Sequence, residues 1–158
     1  MTQATVKQRL GKKGAFDSAE QEVALGVMYV ADRIENQFGR LFREYGLTPS
    51  QYNVLRILRG EGRPLPALEV AGRMIQVVPA ITGLVDRLEK QGLVARRRCE
   101  EDRRVIHIEI TKKAMGVLAK IDRPLNELHK QLLGGMGKKD LLAMKGLLDK
   151  AADLLPAE

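Results

Sequence analysis

At 158 residues and 44% apolar content, with a net charge of +7, the chain is large enough to bury one ordinary core and too apolar to be disordered. No apolar run approaches the ~20 residues that cross a bilayer, and no apolar block follows the first charges as a secretory leader requires. The single cysteine, Cys99, excludes an internal disulfide and a cysteine-based metal site, so a reduced, cytoplasmic protein without cofactor or metal is expected.

Residues 1–17 lack periodicity and carry Lys7, Arg9, Lys12 and Lys13 before any acid, with Gly11 and Gly14 between them. They read as a flexible basic arm, which either reaches phosphates or is a plain tail. Ser18 with Gln21 three residues on is a capping box. The helix that follows sets Val27, Val30, Ile34, Phe38, Leu41 and Tyr45 on one stripe and ends at Gly46. Thr48-Pro49-Ser50-Gln51 opens a second helix, a capping threonine before a first-turn proline, which runs through Val54, Leu55 and Leu58 to Gly60–Gly62. A short helix is expected near 67–75, with Leu68, Ala71 and Met74 or Ile75 turned inward. After a break at Gln76–Val78, Pro79 starts another, whose Ile81, Leu84, Val85 and Leu88 fit a core-facing stripe and which Gly92 stops.

The period then changes from 3.6 to 2. Ile106, Ile108 and Ile110 alternate with Val105, His107 and Glu109 as a half-buried strand, and Leu93-Val94 begins its antiparallel partner. Residues 96–104 between them are too polar for core and read as a loop. Thr111 caps a long helix with Ala114, Val117, Leu118, Ile121, Leu125, Leu128 and Leu132 on one side, in which Pro124 should introduce a bend. Gly134–Gly137 separates a last helix bearing Leu141, Leu142, Leu147, Leu148 and Leu154. The fold class expected is mainly α with a small β-hairpin: a helix-turn-helix around Gln76, winged by the hairpin.

A helix-turn-helix presents the start of its second helix to the major groove. Here that surface is Pro79, Ala80, Thr82, Gly83 and, a turn later, Arg87. The hairpin adds Arg96, Arg97, Arg98, Arg103 and Arg104, a cluster that either meets a polyanion or is a solvated loop. Arg56, Arg73 and Gln76 are further phosphate-contact candidates by charge and placement. No nucleophile–base pattern, glycine-rich phosphate loop or carboxylate cluster suggests an enzyme.

The stretch Leu47–Thr111 resembles the multiple-antibiotic-resistance regulator (MarR) family of transcription factors. The likeness lies in L-T-P-S-Q-Y-N-V-L-R-I-L, in I-T-G-L-V-D-R-L-E-K-Q-G-L-V, and in E-D-R-R before a strand ending in Ile110-Thr111. The resemblance implies one domain over 18–158, with 18–46 and 112–158 as dimerisation helices and 47–111 as the DNA-binding region. It also implies a homodimeric repressor on a pseudo-palindromic operator, which many relatives release when a small ligand enters a pocket. By the same likeness Arg104 would enter the minor groove and Asp102 would steady the wing through a nearby arginine. Val77, Gly83 and Pro66 depart from the family pattern and leave the recognition surface poor in hydrogen-bond donors. Pro79 and Ala80 are therefore expected to meet thymine methyls, with Arg87 and the wing supplying most of the affinity; a protein-docking role for the winged helix is the competing reading.

Three side features stay open. Tyr29, Phe38 and Phe42 either line a pocket for a phenolic or other aromatic effector or are dimer core. Cys99 is a redox switch or an incidental thiol. His107 and His129 lie on different elements and suggest outward positions, not a zinc site.

Overall fold

The computed structural model describes residues 4–76, 81–98 and 105–155. Two units emerge, one up to Pro49 and one from Ser50 onward.

In the first unit a one-turn helix, α1 (Val6–Arg9), stands where the sequence suggested an arm without structure. Thr5 accepts from the Gln8 backbone, and the Gln8 side chain answers the Thr5 backbone N–H at 2.8 Å, a complete capping box that hydrophobic periodicity cannot reveal. Helix α2 (Ala19–Glu44) starts at Ser18, whose hydroxyl accepts from Gln21 N at 3.1 Å. The return bond of the expected box goes one residue further out, from Asp17 N to Gln21 Oε1 at 3.0 Å. Gly46, at φ +73°, ends the helix, with Gly46 N bonded to Arg43 O and Leu47 N to Phe42 O. That pair of bonds is a Schellman motif, which needs a left-handed residue at the glycine.

Helix α3 (Pro49–Glu61), which lies in the second unit from Ser50 onward, buries Val54, Leu55, Ile57 and Leu58. Strand β1 (Leu65–Pro66), unforeseen in the sequence, pairs antiparallel with β3, Leu65 opposite Ile108. Helix α4 (Ala67–Gly72) corrects the expected inner face: Val70 is buried, whereas Leu68 is 82% exposed and Ile75 80%. Six residues hanging from a paired strand are oriented by that strand, and the rotation puts Val70 inward. Helix α5 (Ile81–Lys90) buries Ile81, Leu84, Val85 and Leu88 as its stripe predicts, each such side chain contributing roughly 1.5–3 kcal/mol. It ends in a second Schellman motif at Gly92, φ +70°.

Strands β2 (Val94–Arg98) and β3 (Ile106–Ile110) pair antiparallel from Val94–Ile110 to Arg98–Ile106, giving a sheet ordered β1-β3-β2. Arg96, Arg97 and Arg98 thus belong to a strand and not to the loop expected for them. Three arginines in a row hide the alternation in residue type, although Arg96 lies opposite the buried Ile108; the ladder to β3 is what makes them a strand.

Thr111 begins α6 (Lys112–Leu133) by accepting from Ala114 N, and the helix continues across Pro124. Its buried side is Ala114, Leu118, Ile121 and Leu125. A 3-10 turn at Gly134–Met136 leads into α7 (Gly137–Leu154), which buries none of its residues. Among the described residues no helix is long and apolar enough to cross a membrane.

Candidate nucleic-acid interface

The apolar stripe of α5 fixes what the helix can show to a partner. With Ile81, Leu84, Val85 and Leu88 inside, Thr82 and Arg87 are exposed and Gly83 is partly so. Arg87 has no ion pair among the described residues, so its guanidinium is available to an anion. Pro79 and Ala80 lie outside the described residues.

The C-terminal end of α5 is held from two other helices. The Gln51 amide of α3 donates to Gln91 Oε1 at 3.1 Å, and Lys113 Nζ of α6 donates to Gln91 O at 2.6 Å. The Thr111 hydroxyl donates to Gly92 O at 2.8 Å. These three bonds fix where α5 ends.

The nominated arginines divide by what already holds them. Arg56 folds back onto its own helix, donating to Asn53 Oδ1 at 2.7 and 3.2 Å. Arg73 is paired with Glu61 and Glu69, and the Glu61 hydrogen bond foremost raises its guanidinium above the ordinary value. The same contact holds the Glu61 carboxyl below the usual carboxylate range. Arg96 is gripped by Asp86 and Glu89 of α5, with Asp86 the main cause of an upward shift. Arg97 meets Glu109 across the hairpin. Arg98 has no ion pair among the described residues and is exposed. Gln76 is exposed beyond α4. Asp102, Arg103 and Arg104, with Cys99, lie outside the described residues.

Sequence reading missed the acids that occupy these arginines. Glu69 and Arg73 show the i, i+4 spacing of a helical ion pair, a signal that was present. Asp86 and Glu89 stand one turn apart on the edge of α5, but only the course of β2 shows what faces them. A further link, Arg59 to Asp122 at 2.8 and 2.9 Å, joins α3 to α6 by two parallel bonds.

Of the aromatic residues proposed for an effector, Tyr29 lies under Arg33, 4.9 Å from guanidinium carbon to ring centroid. Phe38 and Phe42 meet at 6.1 Å between centroids, with Phe42 buried. A shallow cleft of about 230 Å³ lies elsewhere, lined by Leu58, Arg59, Pro64, Ile110 and Met115 among others. Among the described residues no group of histidine, cysteine and acidic side chains is placed to hold a metal ion, with His107 partly buried and His129 exposed.

An exposed helix face behind a two-helix turn, flanked by a basic hairpin, defines a winged helix-turn-helix DNA-binding regulator. The MarR family profile matches residues 47–106. The chain is 24% identical to the HTH-type transcriptional regulator FarR of Neisseria gonorrhoeae over 137 residues, 87% of this chain and 93% of that one. A solved MarR transcription factor from Planctomyces limnophilus is 32% identical, covering 85% of this chain and 98% of its own, at a TM-score of 0.65. NadR, solved in complex with 4-hydroxyphenylacetate, shares the fold at a TM-score of 0.71 and 23% identity, covering 90% of this chain and 100% of its own. The chain belongs to the MarR family, whose members are transcription regulators and not enzymes.

Proposed function

We propose that the chain is a homodimeric repressor that binds a pseudo-palindromic operator and releases it when a small aromatic acid or phenol binds. The observation that carries the DNA-binding arrangement is the exposed Thr82–Arg87 face of α5, an uncommitted guanidinium on it, next to a hairpin ending in the exposed Arg98. In this reading 47–111 is the DNA-binding region. Thr82, Gly83 and Arg87, with Pro79 and Ala80, address the major groove, and Arg98, Arg103 and Arg104 address phosphates or the minor groove, with Asp102 steadying the wing. Arg56, Arg73, Gln76 and Arg97 approach the backbone only by exchanging their present partners.

Dimerisation through 18–46 and 112–158 is supported by the apolar surface left open on α7, where Leu147 is 69% and Leu154 78% exposed. Val23, Val27 and Met28 of α2 are similarly open. Such apolar faces are unfavourable in water and match what a second copy would cover. The effector reading rests on the family and on what NadR is named as binding, with Tyr29, Phe38 and Phe42 as the ligand-facing candidates.

Selection of random-sequence duplexes on the purified protein, followed by footprinting upstream of its own gene, tests this. The expected result is a two-half-site footprint whose affinity falls with salt, drops further in Arg87→Ala, and is relieved by 4-hydroxyphenylacetate or a related phenol. Indifference to every duplex at low salt, together with tight capture of a protein, would replace it with the docking reading.

A further inference from the structure

We propose that Arg96 is a positioning residue for DNA binding and not a phosphate contact: it fastens the base of the wing to the recognition helix and holds two carboxylates by hydrogen bonds, offsetting one of their two negative charges. The inference rests on the reading of α5 as the recognition helix.

Asp86 and Glu89 follow each other by three residues and so lie one above the other on α5, between its buried stripe and its exposed face. The turn at Gln91–Gly92 sends β2 back past them. Arg96 then meets both: Nη2 donates to Asp86 Oδ1 and Nη1 to Glu89 Oε2. The Arg96 backbone N–H adds a third bond, to Glu89 Oε1 at 3.2 Å. One residue therefore spans a full helical turn, with its side chain only 25% exposed against 67% for the neighbouring Arg97. A planar guanidinium suits this task, because its fork is fixed and two acceptors set its plane.

Two consequences follow. The strand leaving α5 is held at one angle, so the distance from groove-facing helix to wing arginines is set before DNA arrives. The acids, 48% and 40% exposed, keep one negative charge between them instead of two, which lessens their repulsion of a polyanion. Arg98, two residues on and without an ion pair among the described residues, is the phosphate ligand of this strand.

The test uses the full chain and a labelled duplex recovered by selection on the wild type, with binding measured by fluorescence anisotropy and thermal unfolding followed alongside. Arg96→Gln is expected to weaken binding on the order of tenfold, since it leaves two unpaired acids beside the phosphates. In the Asp86→Asn/Glu89→Gln background the same substitution should change affinity less than about threefold, because the groups it served are gone. Should Arg96→Gln alone not fold, the comparison within the neutral background still decides. An equal loss in both backgrounds identifies a phosphate contact and overturns the proposal, as does a single variant that binds like wild type. A wild type that binds no duplex overturns the functional reading instead.

Discussion

Thr111 joins two helices through one hydroxyl. It accepts from Ala114 N at 3.2 Å to begin α6, and it donates to Gly92 O at 2.8 Å, where α5 has just ended. Replacing it by valine keeps the branched shape and removes both roles. Loss of the cap costs about 1 kcal/mol, and loss of the bond to Gly92 adds about 1 kcal/mol. The total of about 2 kcal/mol corresponds to a fall in Tm of roughly 4–8 °C for a chain of this size. Urea unfolding followed by circular dichroism measures it, at one protein concentration throughout because association adds a concentration-dependent term. Thr111→Ser, which keeps the hydroxyl, should stay within about 0.5 kcal/mol of wild type. A valine variant as stable as wild type would refute the assignment of both bonds.

Gly92→Ala forces a side chain into φ +70° and should cost about 1–2 kcal/mol in the same assay; an unchanged midpoint would show that the turn relaxes freely. Leu147→Lys on the open face of α7 should shift sedimentation toward monomer with the helical signal retained, and an unaltered dimer would move the interface elsewhere. The Glu61 carboxyl, held below 4.5 foremost by Arg73, stabilises the fold fully above that value, and the contribution is lost as pH falls through the lowered one. In Arg73→Gln the carboxyl titration followed by NMR should move back up toward 4.5; no movement would place the cause of the shift elsewhere.

Much of the fold was legible because its signals are local. Ser18 and Thr111 cap their helices within three residues, Gly46 and Gly92 end theirs within five, and the α5 stripe repeats within two turns. Such bonds form between neighbours in the chain, so residue types and spacing suffice to place them. The candidate site was legible as an address, the helix after the turn and the arginine-rich hairpin.

Which of those arginines remain available was not legible. Arg73, Arg96 and Arg97 each chose among acids brought near by β2, β3 and the end of α3, and exposed pairs differ by only about 0–1 kcal/mol. With intrinsic preferences that small, the backbone positions decide. The same holds for α4, whose inner face follows from the pairing of Leu65 with Ile108, 43 residues away. Sequence alone placed α2, α3, α6 and α7 and the end of α5, though not α1; tertiary structure decided which side of α4 is buried and which charges are already spoken for. Caps and stripes act over one or two turns of chain, whereas a long cationic side chain answers to whatever the fold sets beside it.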